Sequence, residues 1–139
     1  MFSQTAEYAL RTIVWLAARS DTAQTTQQIA EATKVPRGYL SKILQSLGRA
    51  GLVHSQRGLH GGFTLAVDPD ELSPLDVIDA IDPIRRIERC PLGLASHAVG
   101  LCPLHKRLDD AIAQVREVLG EARISELLGE PTRSSPLCD

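Results

Sequence analysis

Aromatic side chains are scarce in this chain: two Phe, two Tyr and one Trp among 139 residues, with a single Met. The core must therefore be built from Leu, Ile, Val and Ala, and an apolar content of 43% is enough to build one. No apolar run approaches the roughly 18 residues that a membrane span needs, so no membrane partner is expected. The start, "MFSQTAEYALR", turns polar almost at once and carries an acid, unlike a secretory leader. A cytoplasmic protein is the expectation. Cysteine is also rare, and three thiols in a reducing compartment are better metal or redox material than disulfide material.

The marks of an enzyme are missing too. There is no phosphate loop, no Ser-His-Asp order and no carboxylate pair in a glycine-rich frame. Cys90 and His105 imitate a thiol hydrolase only superficially, because nothing beside them offers an oxyanion hole. The expectation is a non-enzyme.

What is present is an uneven charge. The net value of −2 hides a front half, residues 1–66, with seven Lys/Arg against three Asp/Glu. Residues 67–139 hold eight against fourteen. A basic front on a mildly acidic chain points to a local anionic partner.

Periodicity predicts a helix over 4–19 capped by Ser3, with Ala6, Ala9, Leu10, Ile13, Leu16 and Ala17 at helical spacing. A second helix is expected over Thr26–Thr33, then a break at "KVP". Pro36 suits the first turn of a third helix, whose buried stripe is Leu40, Ile43, Leu44 and Leu47. Its other face shows Arg37, Gly38, Ser41, Lys42 and Gln45, and Gly51 ends it in a left-handed conformation. Two β-prone runs, 52–56 and 63–67, flank "RGLHGG" and read as a hairpin. Ser73 and Pro74 then open a short helix through Ile81. Residues 83–101 have little periodicity. From Pro103 a long helix carries Leu104, Leu108, Ala111, Val115 and Val118 in steps of four and three, a heptad-like seam.

Two short helices with a tight break, then a glycine-tipped hairpin, is the order of a winged helix-turn-helix. Its second helix fits the major groove of duplex DNA and its hairpin reaches an adjacent groove. Arg37 and Lys42 suit phosphates or guanine edges, Ser41 and Gln45 are short polar readers, and Arg57 at the wing tip suits a narrow minor groove.

The segments "EYALR", "IA…VPRGYLSKILQSLGRAGLVHSQRGLHGGFTLA" and "LSPLDVIDAI" resemble the IscR/NsrR regulators of the Rrf-two family, in order over roughly 1–128. The resemblance implies a fold that is mainly α with a small β-hairpin wing, extended by a long C-terminal dimerisation helix. It implies a homodimer on a palindromic operator of double-stranded DNA. By position, the family's recognition contacts fall on Pro36, Arg37, Tyr39 and Ser41, and its wing contacts on Ser55, Arg57 and Gly58. Thr26, Gln27 and Lys42 complete the candidate DNA-binding set. The chain then divides into a winged domain over 1–82, whose first helix also packs with the dimer region, a Cys/His sensor loop over 83–102, a dimerisation helix region over 103–128, and a tail over 129–139 expected to be flexible.

Much of the family holds an iron–sulfur cluster on three cysteines in the loop before the dimer helix. In "CPLGLASHAVGLCPLH", Cys90 and Cys102 match the first and third, but the middle place is Ser96, a poor iron ligand. His105, three residues after Cys102, shares its face of the helix. His97 adjoins the vacant place, and Glu7 stands where some relatives supply a carboxylate from the partner subunit. Two thiolates with two imidazoles suit structural zinc as well as a [2Fe–2S] cluster of the mixed kind. The resemblance favours the cluster. The expected function is a repressor whose operator affinity is controlled by that cluster as a sensor of redox state, nitric oxide or iron–sulfur status. The alternative is a zinc-bound or thiol-switch regulator. Cys138 reads as an uninvolved thiol of the tail.

Overall fold

The structure, a computed structural model, describes residues 2–91 and 100–129. Ser96, His97 and Cys138 lie outside the described residues. Helix α1 covers Gln4–Ala17, and the Ser3 hydroxyl accepts from the Ala6 amide at 3.1 Å as its cap. It stops two residues short of the expected end. Helix α2, Thr26–Thr33, matches its expected bounds, because Thr25 builds a capping box with Gln28. Helix α3 is Arg37–Arg49. It ends in a two-bond turn: Gly51, at φ 78°, donates to the Gly48 carbonyl, and Leu52 donates to that of Leu47.

Strands β1 (Val53–Gln56) and β2 (Gly62–Leu65) pair antiparallel, with Val53 opposite Leu65 and Gln56 opposite Gly62. Helix α4, Pro74–Ile81, has proline in its first turn and a Ser73/Asp76 capping box. The long helix α5 runs Pro103–Glu121, and a short helix α6, Ile124–Gly129, follows.

One core joins these elements. Ile13 and Leu16 of α1, Ile29 of α2, Leu40, Leu44 and Leu47 of α3, and Leu72 and Val77 near α4 are all buried together. Truncating any of the large ones to Ala costs about 2–5 kcal/mol. Ile124 belongs to the same core and is fully buried. This divides the region read from sequence as one dimerisation segment. At Ala122 the backbone turns extended, with ψ 153°. Then α6 folds back on the winged domain through the Ile124 amide to the Leu72 carbonyl and the Ser125 amide to the Pro69 carbonyl.

A second, smaller core holds α5 in place. Ile112, Val115 and Leu119 pack on Ala6, Ile78 and Ile84. Val115, expected on the free seam, therefore faces its own chain. Leu104, Leu108, Ala111 and Val118 remain exposed.

Candidate nucleic-acid interface and sensor loop

The turn between α2 and α3 is tight because Lys34 takes the left-handed conformation, φ 61°, uncommon for a residue with a side chain. Its amide closes α2 on the Ala30 carbonyl. Val35 then buries between the helices, and Pro36 starts α3 with no side-chain cap on the helix amides. The first residues of α3 are exposed, and an uncapped helix N-terminus is suited to phosphate.

That face carries the expected residues. Pro36, Arg37, Gly38, Tyr39, Ser41, Lys42 and Gln45 are all exposed, while the alternate positions Leu40, Ile43, Leu44 and Leu47 are buried. The Ser41 hydroxyl donates to the Arg37 carbonyl at 3.2 Å, so in this state it points back along its own helix. Gln27 is exposed and donates to Glu31, and Thr26 is half-buried.

Tyr39 is half-exposed, with its ring edge-on to Tyr8 of α1, centroids 6.0 Å apart. Tyr8 is held in turn by Arg11, whose guanidinium lies 5.3 Å above the ring. Arg11 also donates to the Thr33 carbonyl, the last of α2, at 3.1 Å, and pairs with Glu7 at 2.9 Å. Arg11 thus ties α1 to the helix-turn-helix break. Sequence reading missed it; the only local signal is the Glu7–Arg11 spacing of four. Glu7 is exposed and engaged by Arg11 within its own chain.

The wing is fixed at its base. Gln24, in the connector before α2, exchanges two backbone hydrogen bonds with Phe63, at 2.9 and 2.8 Å. Gly62, at φ 144°, lies so close that a Cβ would stand 2.5 Å from the Gln24 carbonyl oxygen. Ser55, Arg57 and Gly58 are exposed on the arm and tip, and Gly58 needs glycine for its φ of 110°.

After α4 the chain forms a strap along α5. Arg116 of α5 donates two hydrogen bonds to Asp79 and a third to the Ile84 carbonyl. Arg86 of the strap donates two to Asp109 of α5, and the Ile87 amide adds another. The Arg86 hydrogen bonds, then the Ile87 amide, hold the Asp109 carboxyl at about 2, below its ordinary 3.8. The strap leads to Cys90, which is half-buried.

Cys102 is the N-cap of α5, and its Sγ lies 3.1 Å from His105 Nδ1. Two donors on one tetrahedral ion stand about 3.6 Å apart, within a small side-chain rotation of this contact. A thiolate and an imidazole are both proper ligands for zinc or for iron in a mixed cluster. The pair fits such a group, but no cluster of three or more potential ligands forms among the described residues.

The sequence that builds the helix-turn-helix, the pinned wing and the long helix matches a known protein family. The model for Rrf2, described as iron-dependent transcriptional regulators, matches residues 2–130. The chain belongs to the Rrf2 family. An HTH-type transcriptional regulator of Aquifex aeolicus is 30% identical to this Rrf2 chain over 131 residues, covering 92% of it and 91% of the relative. The solved structure of CymR, the global cysteine regulator of B. subtilis, superimposes with a TM-score of 0.74 at 25% identity, covering 91% of this chain and 95% of that one. The IscR of T. potens shares the fold, with a TM-score of 0.79 at 21% identity over 96% and 91% of the two chains. The Rrf2 chain is accordingly a winged-helix transcriptional regulator with a DNA-binding fold, and not an enzyme. None of its helices among the described residues is long and apolar enough to cross a membrane.

Proposed function

We propose that this Rrf2 chain is a homodimeric repressor that reads a palindromic operator, with its affinity set by a [2Fe–2S] cluster seated where Cys102 and His105 meet. One observation carries the reading: the 3.1 Å contact between Cys102 Sγ and His105 Nδ1 in the first turn of α5. That helix also bears the exposed apolar stripe a second copy would cover, so ligand pair and dimer surface share one rigid element. Cys90, at the end of the strap, is the second thiolate of the reading. His97, or Glu7 of the other subunit, completes the set.

When bound, such a cluster supplies one-electron redox chemistry and reactivity towards oxidants and nitric oxide. The chain's own residues do the rest. Cys102 and His105 fix the site to α5. Arg86 and Arg116 bind the strap to the same helix, so a displacement in the loop is passed on to α5 and to α4 beneath it. A working sensor needs a change in operator affinity of about 1–3 kcal/mol between states.

Anaerobic purification with absorption spectroscopy and metal analysis tests this directly. Visible absorption with iron and acid-labile sulfide is the expected result. A colourless protein with stoichiometric zinc would overturn the cluster and leave a zinc-stabilised DNA binder. The likeness to CymR favours a second reading, a metal-free thiol switch on the same cysteines. There, operator binding by metal-free protein responds to oxidant and reductant alone.

A further inference from the structure

Leu59 is 95% exposed, more than any other large apolar residue described. It sits at the outermost point of the wing. The Gly61 amide donates to the Gly58 carbonyl at 3.0 Å, closing a β-turn whose two central residues are Leu59 and His60. Central turn positions usually go to Gly, Pro, Asn, Asp or Ser, which satisfy backbone geometry or solvent. Here the backbone demands are met by the glycines on either side. Gly58 takes φ 110°, and a Cβ on Gly61 would stand 2.7 Å from the Gln56 carbonyl oxygen. The turn thus presents an aliphatic side chain and an imidazole that are both exposed.

The wing is also held at its base. The Gln24–Phe63 bonds and the close Gly62 approach fasten the hairpin base to the connector leading into α2. The short arms of the hairpin therefore start from a fixed position beside α2. A tip anchored this way can press into a groove without losing the contact energy to bending of the hairpin.

Resting on the DNA-binding reading, we propose that Leu59 is an apolar wedge that enters the minor groove beside the major groove taken by α3, and that it selects the base step there. Arg57, two residues back, meets the negative potential of a narrow minor groove. Leu59 lies over the groove floor, and the His60 ring N–H reaches the acceptors of the base edges. A G·C pair places the guanine amino group on that floor. Covering it with leucine desolvates a donor and gives nothing back, which costs affinity. A·T pairs and easily unstacked pyrimidine–purine steps have no such penalty. The wing then contributes sequence preference as well as charge.

The test uses full-length protein and a duplex it selects from a random-sequence pool. At positions flanking the α3 site, A·T is replaced by G·C or by inosine·C, which keeps the A·T-like minor groove while changing the major groove. For wild type, G·C should weaken binding about tenfold and inosine·C should not. Leu59→Ala should erase that difference and reduce duplex bending measured by end-to-end energy transfer, whereas Leu59→Met should retain both. Both substitutions lie on an exposed tip, so unchanged thermal unfolding is expected. Wild-type discrimination and bending in Leu59→Ala would overturn the proposal. If wild type selects no duplex at all, the DNA-binding reading falls, and the wedge with it.

Discussion

Arg86 and Asp109 meet through two parallel hydrogen bonds, Nε to Oδ1 and Nη2 to Oδ2, each 2.7 Å long. They are 23 residues apart in sequence, and the contact fixes the strap that follows α4 to the long helix α5. Such fork-to-carboxylate pairs hold direction as well as distance. The same carboxylate accepts from the Ile87 amide, so it orders backbone too.

Strap docking should therefore depend on Asp109 being ionised. Its carboxyl is held down to about 2 from 3.8, chiefly by the Arg86 hydrogen bonds. A depressed carboxyl contributes fully above its ordinary value and loses that contribution as pH falls through the lowered one. The contact should survive acidification past the ordinary carboxylate range and fail only near the lowered value. Asp109→Asn should speed hydrogen exchange at the Ile87 amide at neutral pH, with the core of α1 and α3 still protected. Unchanged exchange at Ile87 would remove the strap from the coupling route.

Glycines separate stability from binding. Gly62→Ala puts a methyl 2.5 Å from a backbone oxygen at φ 144°, and should destabilise the fold by about 2–3 kcal/mol in thermal or denaturant unfolding. Gly38 is different: it is exposed on α3, and a methyl there would meet nothing within 4 Å. Gly38→Ala should leave stability unchanged or raise it by about 0.5 kcal/mol. Its position on the groove-facing side should nonetheless weaken operator binding.

The local elements were legible because their signals are local. Ser3 caps α1, Ser73 and Pro74 open α4, and the glycines of "RGLHGG" turn the wing. The exposed polar face of α3 followed from the helical spacing of Leu40, Ile43, Leu44 and Leu47 among polar neighbours. What the sequence hid is long-range. Nothing in the order of residues tells Arg86 to choose Asp109, Arg116 to choose Asp79, or Arg11 to reach the Thr33 carbonyl. The break at Ala122 was hidden for a related reason. Ile124, Leu127 and Leu128 continue a helical apolar pattern, and only the winged-domain core that receives Ile124 explains the reversal.

Charge on α3 and the wing should be readable through salt. Lys42→Ala should weaken binding similarly across sequences and lower the slope of log affinity against log salt by about 0.9 for each phosphate contact removed. Arg57→Ala should weaken binding as well, and more strongly where the flanking minor groove is narrow. If neither variant changes affinity or slope in titrations across a range of salt, the basic face of α3 and the wing is not the DNA surface.

The apolar stripe on α5 gives the sharpest test of assembly. Leu104 is 62%, Leu108 47% and Val118 67% exposed, with Ala111 between them, while the other side of α5 packs on Ile78 and Ile84. A helix with apolar residues on both sides needs a partner for each, and the described residues supply only one. Leu108→Asp puts a charge in the middle of the unpartnered stripe without touching the core that holds α5 down. Sedimentation should then show a monomer with native secondary structure and nearly native thermal stability. Operator affinity should fall steeply, because two half-sites can no longer be engaged by one molecule. A Leu108→Asp protein that still sediments as a dimer would place the dimer contact elsewhere on the chain.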